Sequence, residues 1–297
     1  MIIDSHSHAF PEKAIRDPEK WAREHGESHW GRLVLPRNGV DSLQGWVSRA
    51  DFSQKMREDG IDGAVLLGWY WETPGACLIQ NEEMADWLAS HPHSFRACGA
   101  VHPQGPSPAE VVQWAVENRF SGFGELLPAV QQSSLADPFW DELANLSAEA
   151  GLCFNFHVNE PVGRPHGARI PVPFPELQAF IEKHPNLRII LSHWGGGLFL
   201  SELNPYIRKR FRNVFYDTSA SPLLYGAEIF KVACQAVPPE KILFGSDFPL
   251  RLFPRREKAP GWRTFVEQID QQGIADDAKA KIMSENARRV FGFGPEG

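Results

Sequence analysis

Cysteine is scarce in this chain, and the four present (Cys77, Cys98, Cys153 and Cys234) show no CxxC spacing. That excludes a zinc knuckle and argues against a disulfide framework, so free, reduced thiols are expected. Long apolar runs are missing too: nothing approaches the roughly 20 residues that a membrane helix needs. Met1 leads into Ile-Ile-Asp with no basic region ahead of an apolar stretch. No secretory signal is therefore expected, and the expected location is cytoplasmic. A basic surplus is likewise absent, since the formal net charge is −7. This removes the clustered positive footprint of a nucleic-acid binder. There is no tandem repeat, no low-complexity segment and no GxGxxG after the first strand candidate. The Gly195-Gly196-Gly197 run lacks the lysine and spacing of a phosphate loop. The expected partner is a small-molecule substrate, with neither nucleic acid nor membrane involved.

Hydrophobic residues make up 42% of the 297-residue chain, enough for one large core. Short apolar runs rich in β-branched and aromatic residues recur at 2–8, 63–69, 95–101, 120–126, 152–158, 187–193, 213–218 and 241–247. Their near-continuous apolar character suits parallel strands covered on both faces. Helical patterns alternate with them. Asp137-Pro138 sets an N-cap and a first-turn proline, with Gly151 as the stop. Further helices are expected from Asn81 to just before His91-Pro92, over 201–211 and over 276–290. The order predicts an α/β fold, a single (β/α)₈ TIM barrel spanning 1–297. One connection is abnormal, because roughly 55 residues separate the first two strands where few are usually needed. It holds Trp21, His25, His29, Trp30 and Trp46 and one helix expected near 51–59. Residues 9–60 are therefore expected to form an insertion acting as a lid over the barrel mouth, where barrels place their sites.

Chemistry-bearing residues gather at the strand ends. The first strand ends in His6-Ser7-His8, the fourth carries Glu125, the fifth His157, the sixth His193 and the eighth Asp247. Residues two apart on a strand share a face, so His6 and His8 can both point inward. Each signal alone has an ordinary explanation, such as a hydrogen-bonded core histidine, a capping aspartate or a glutamate paired with arginine. Six such groups in one barrel mouth would be costly to bury without a compensating ion. The set predicts a metal site, with imidazole and carboxylate ligands that suit zinc, manganese or iron. No Ser-His-Asp or Cys-His nucleophile set stands out.

The series IIDSHSH, GFGEL, FNFHV, ILSHWGGG, FGSDFP and SENARRVFG resembles the amidohydrolase superfamily, in particular its family 2 branch. That branch also holds decarboxylases similar to aminocarboxymuconate semialdehyde decarboxylase and γ-resorcylate decarboxylase. The resemblance implies that His6, His8, His157 and Asp247 hold the principal metal and that Asp247 doubles as general base. It implies that His193 contacts the reacting water or substrate, or ligates a second ion. Glu125 bears on the number of ions, one or two, because some superfamily members place a bridging carboxylate on a middle strand. Zinc is the first expectation and manganese the alternative, and a homo-oligomer is expected from the resemblance alone.

Two reactions fit. In hydrolysis of an amide, lactone or ester of a small carboxylate-bearing molecule, Asp247 takes the proton of the attacking water and His193 stabilises the developing oxyanion. In non-oxidative decarboxylation of an aromatic or enoic acid, the same site binds a carboxylate and protonates carbon. A non-enzymatic metal-binding barrel is the third class, and the complete ligand set argues against it. For substrate recognition, Arg251 after the eighth strand is the expected anion reader. Arg255 and Arg256 are expected to pair with surface acids. Arg164 and His166, in the loop after His157, are expected to face the substrate, while Trp69, Trp71 and Trp194 are expected to wall an apolar pocket.

Overall fold

The computed structural model describes residues 1–37, 39–163, 169–253 and 259–294. Eight strands form one parallel sheet in chain order. They are β1 (Ile3–His8), β2 (Gly63–Leu67), β3 (Phe95–Gly99), β4 (Gly122–Leu126), β5 (Cys153–Phe156), β6 (Arg188–Leu191), β7 (Val214–Asp217) and β8 (Ile242–Leu243). Beyond the short regular part of β8, its chain lies along β1. The Ser5 amide donates to the Phe244 carbonyl at 2.8 Å, Asp247 to His6 at 2.9 Å and His8 to Phe248 at 2.6 Å. The expected TIM barrel is the observed fold. Every expected strand is present, but the ladders stop earlier than the apolar runs do. His157, His193 and Asp247 lie just past the last paired residues, where the chain turns into the mouth.

Side chains alternate between barrel interior and helix layer, as a closed sheet requires. Ile3, Val65, Leu67, Cys98, Cys153, Ile190, Phe215 and Leu243 pack together, whereas Ala64, Leu66, Phe123, Phe154 and Ile189 join the layer shared with the helices. All four cysteines are free thiols. An irregularity in β1 between Asp4 and Ser7 alters the alternation. Asp4 pairs with Ala64 and Ser7 with Leu66, so both lie on the outer side, and His8 falls in line with the inward Leu67. A bulge re-aims side chains in this way, and here it directs His6 and His8 into the mouth although Ile3 also faces inward.

The first connection holds four helices rather than one. They are α1 (Glu12–Arg16), α2 (Pro18–His25), α3 (Ser28–Val34) and α4 (Arg49–Asp59). The first three are short, so packing rather than local propensity sustains them. Phe10, Trp21 and Trp30 pack against Trp69, Tyr70, Trp71 and Leu127 at the C-terminal ends of β2 and β4. By contrast α4 belongs to the barrel's helix layer, where Phe52 meets Trp87, Phe95, Phe248 and Trp262 edge-on. The next helix, α5 (Pro74–Ser90), begins seven residues before the expected Asn81. Pro74 takes its first turn behind Thr73, the start signal that the reading from Asn81 passed over. The helix Pro138–Glu149 matches its expectation, and Gly151 ends it at φ 72°. Lys281–Glu285 is a π-helical turn inside the helical run from Asp276 to Phe291. No described helix is long and apolar enough to cross a membrane.

Candidate metal centre

The strand ends bring His6, His8, Glu125, His157, His193 and Asp247 together. His6 Nε2 lies 3.3 Å from His8 Nε2 and 3.6 Å from Asp247 Oδ1, and His8 Nε2 lies 3.1 Å from that oxygen. On the other side, His157 Nδ1 is 2.9 Å and His193 Nε2 3.4 Å from Glu125 Oε1, and the two ring nitrogens are 3.2 Å apart. Glu125 stands between the two pairs, since its oxygens also lie 3.9 Å from His6 Nε2 and 3.8 Å from His8 Nε2. Two groups with metal-ligand spacing share that carboxylate, His6-His8-Glu125 and Glu125-His157-His193.

The donor set fits a divalent ion. Bonds of about 2.0–2.2 Å separated by about 90–110° put neighbouring ligand atoms about 2.9–3.6 Å apart, the range most of these pairs occupy. Electrostatics point the same way. Burial opposes charge on His6, yet Asp217, Glu125 and Asp247 hold its imidazole up at about 9. Burial likewise opposes charge on His193, and Glu125 with the two aspartates raises it to about 10. Burial would raise Glu125, but His157, His193 and His6 hold its carboxyl well below the usual range. The cluster's carboxylates thus call for positive charge that protons alone or an ion can supply.

Two of the candidate ligands, His6 and His193, are held from behind. His6 Nδ1 faces Asp217 Oδ2 at 2.9 Å, which leaves Nε2 for the centre. A carboxylate behind a ligating imidazole fixes its tautomer and orientation. Asp217 Oδ1 also accepts from the His193 and Ser219 amides, both at 3.1 Å. Burial opposes ionisation of Asp217, but His6 and then His193 lower it to about 2. Gly245 permits this arrangement, because a Cβ there would stand 2.9 Å from the His6 Cβ. His193 and Asp247 adopt left-handed backbone conformations at φ 57° and 71°. Non-glycine residues seldom hold such conformations, which cluster at functional sites. The three glycines after Trp194 serve a similar left-handed turn, with Gly196 pressed against the Asn159 carbonyl. They close the loop against the chain that follows His157.

Side-chain exposure orders the cluster. His6, Glu125, His8 and His193 are nearly sealed at 0, 2, 3 and 8%, whereas His157 and Asp247 reach 16 and 18%. The accessible rim therefore runs from Asp247 to His157.

The expected substrate residues divide differently. Trp69 stands edge-on to His8 with ring centres 5.0 Å apart, beside the centre. Trp71 is fully buried beneath the insertion and donates to Gln80 Oε1 at 2.6 Å. Trp194 is also fully buried, packed on Phe230 and Phe199 with its indole donating to Ser221. Its neighbour His193 turns inward, and the left-handed turn sends Trp194 into the helix layer rather than onto a pocket wall. Arg251 donates through Nη2 to the Ser42 carbonyl at 2.7 Å, which joins the loop after β8 to the insertion. Arg164, His166, Arg255 and Arg256 lie outside the described residues. Asp217 and Tyr70 were not singled out from the sequence. Asp217 ends the seventh strand as the ligands end theirs, a signal open to inspection, whereas Tyr70 shows its place only in three dimensions.

Comparison with known proteins gives the family and the fold. A family model described as amidohydrolase matches residues 3–293. The chain is 22% identical to L-fucono-1,5-lactonase of Burkholderia ambifaria over 62% of this chain and 66% of that protein. It is 25% identical to γ-resorcylate decarboxylase of Rhizobium sp. over 71% of this chain and 74% of that one. The solved 5-carboxyvanillate decarboxylase of Sphingomonas paucimobilis superposes with a TM-score of 0.73 at 17% identity, covering 99% of both chains. That of Novosphingobium aromaticivorans, with bound manganese and 3-methoxy-4-hydroxy-5-nitrobenzoic acid, gives 0.71 at 18% identity over 98% of this chain and 97% of that chain. The match over nearly the whole chain shows that this protein is an enzyme of the metal-dependent amidohydrolase family 2.

Proposed function

We propose that this enzyme hydrolyses a lactone, amide or ester of a small carboxylate-bearing molecule, with a lactone as the first candidate. The observation that carries the reading is Glu125 standing between two imidazole pairs while Asp247 lines the accessible rim. His6, His8, Asp247 and Glu125 would hold one ion, and Glu125, His157 and His193 could hold a second. Zinc is the first choice and manganese the alternative. A divalent ion held there would supply Lewis acidity toward the scissile carbonyl and would ease deprotonation of water near neutral pH. Asp247, exposed on the rim, takes a proton from the attacking water and returns it to the leaving group. His193, with Nδ1 fixed 2.8 Å from the Ser219 hydroxyl, orients toward the centre through Nε2. Likeness to the lactonase supports the lactone reading.

Decarboxylation is the second reading, favoured by likeness to γ-resorcylate decarboxylase. In that case Asp247 or a neighbour delivers a proton to carbon, and no water oxygen enters the product. Turnover of aldonolactones and hydroxybenzoates in ¹⁸O-labelled water separates the two, since only hydrolysis labels the organic product. With a substrate in hand, Asp247→Asn is expected to cut kcat by about 10²–10⁴-fold while most of the bound metal is retained. Full activity in that variant would remove Asp247 as the base.

A further inference from the structure

Tyr70 follows β2 and reaches over the mouth toward β5. Its ring stacks on Trp69 at 4.4 Å and 28°, and its centre lies 5.4 Å from that of His157, the accessible imidazole of the cluster. On the insertion side it meets the ring of His29 at 6.0 Å. The side chain is only 3% exposed. Glu125 and Asp247 lie within electrostatic reach of its phenol. Among the described residues no hydrogen bond forms to the Tyr70 hydroxyl. A phenol packed beside a polar site with no hydrogen-bond partner among the described residues is placed to donate to a molecule that enters.

We propose that Tyr70 is a catalytic residue whose hydroxyl donates a hydrogen bond to a substrate oxygen beside the metal centre. It rests on the hydrolase or decarboxylase reading only in requiring a substrate that brings an acceptor oxygen to that centre. In hydrolysis this oxygen is the carbonyl oxygen that gains charge; in decarboxylation it is a carboxylate oxygen. Trp69 holds the ring from one face, and His157 marks the other limit of its position.

Acetate supplies the smallest probe of such a donor, independent of the true substrate. Cobalt(II)-loaded wild-type protein is titrated with acetate and followed by its visible absorption bands, alongside Tyr70→Phe. The substitution removes only the hydroxyl, so cobalt content and melting temperature are expected to stay unchanged. The acetate dissociation constant is expected to rise about 10-fold, as for one lost hydrogen bond to a charged group. Equal affinities in the two proteins would overturn the assignment, as would the absence of any acetate response in the wild type. Loss of folding in Tyr70→Phe would also overturn it, because the hydroxyl would then have a structural partner. Acetate binding that weakens in the variant while no lactone or hydroxybenzoate is turned over sustains the donor and removes only the reaction reading.

Discussion

At the scale of single residues, the centre is organised by charge. Three carboxylates, Glu125, Asp217 and Asp247, surround imidazoles that burial alone would keep neutral. His6 and His193 have folded-state values of about 9 and about 10, above the ordinary 6.5. Their contribution to the stability of the metal-free chain is therefore complete below about 6.5 and fades as pH rises through 9 to 10. Metal binding at pH 7 is then expected to displace a proton from each ring. Calorimetric titration with zinc in buffers of different ionisation enthalpy should show release of about two protons per chain. Release near zero would mean that these imidazoles are neutral before metal arrives.

At the scale of elements, the insertion is held by two carboxylates that cap each other's helices. Glu27 accepts from the amides of Glu72 and Thr73 at 2.6 and 3.1 Å and from the Thr73 hydroxyl at 2.7 Å, at the start of α5. Glu72 accepts from the Ser28 hydroxyl at 2.8 Å and the His29 amide at 2.5 Å, at the start of α3. Carboxylates at helix starts are favourable, but burial, with the neighbouring Glu72 charge adding to it, pushes Glu27 up to about 7. A raised carboxyl favours the folded state fully below about 4.5, and that advantage is lost as pH climbs through 7. The melting temperature of wild type relative to Glu27→Gln should therefore fall between pH 5 and pH 8. A difference that stays flat with pH would show that the cap carries no buried charge. This reciprocal capping was invisible in the sequence, where Glu27 and Glu72 are unremarkable acids 45 positions apart.

At the scale of the whole molecule, the barrel closes where β1 meets the chain after β8. Asp4 governs that seam from a fully buried position. Its carboxylate accepts from the Ser7 and Ser246 hydroxyls, both at 2.5 Å, and from the Trp262 indole at 2.6 Å. It also accepts from the His6 and Ser246 amides at 3.0 Å. Asp4→Ala would leave several buried donors unpaired, a cost on the order of 3 kcal/mol or more. In a protein of this size the melting temperature should drop by roughly 6 °C or more, measured by scanning calorimetry. A drop of under a degree would show that the seam is held by strand pairing alone. Because His6 lies two residues from Asp4, closure of the barrel and the aim of His6 and His8 are one piece of architecture.

The strands and the six gathered residues were legible in the order of the chain because two simple periodicities carry them. Apolar runs of strand length alternate with capped helical patterns, and chemistry-bearing residues recur at the ends of those runs. Local sequence thereby determined the barrel and the place of its site. Tertiary structure alone decided which side chains share a face there. The bulge between Asp4 and Ser7 sets the aim of His6 and His8, and the left-handed turn after His193 sends Trp194 into the core. Arg251 meets Ser42 across 209 positions, and Tyr70 reaches His157 from β2 across the mouth to β5. Such relations depend on packing between segments distant in the chain, and neither hydrophobic period nor helix caps encode them.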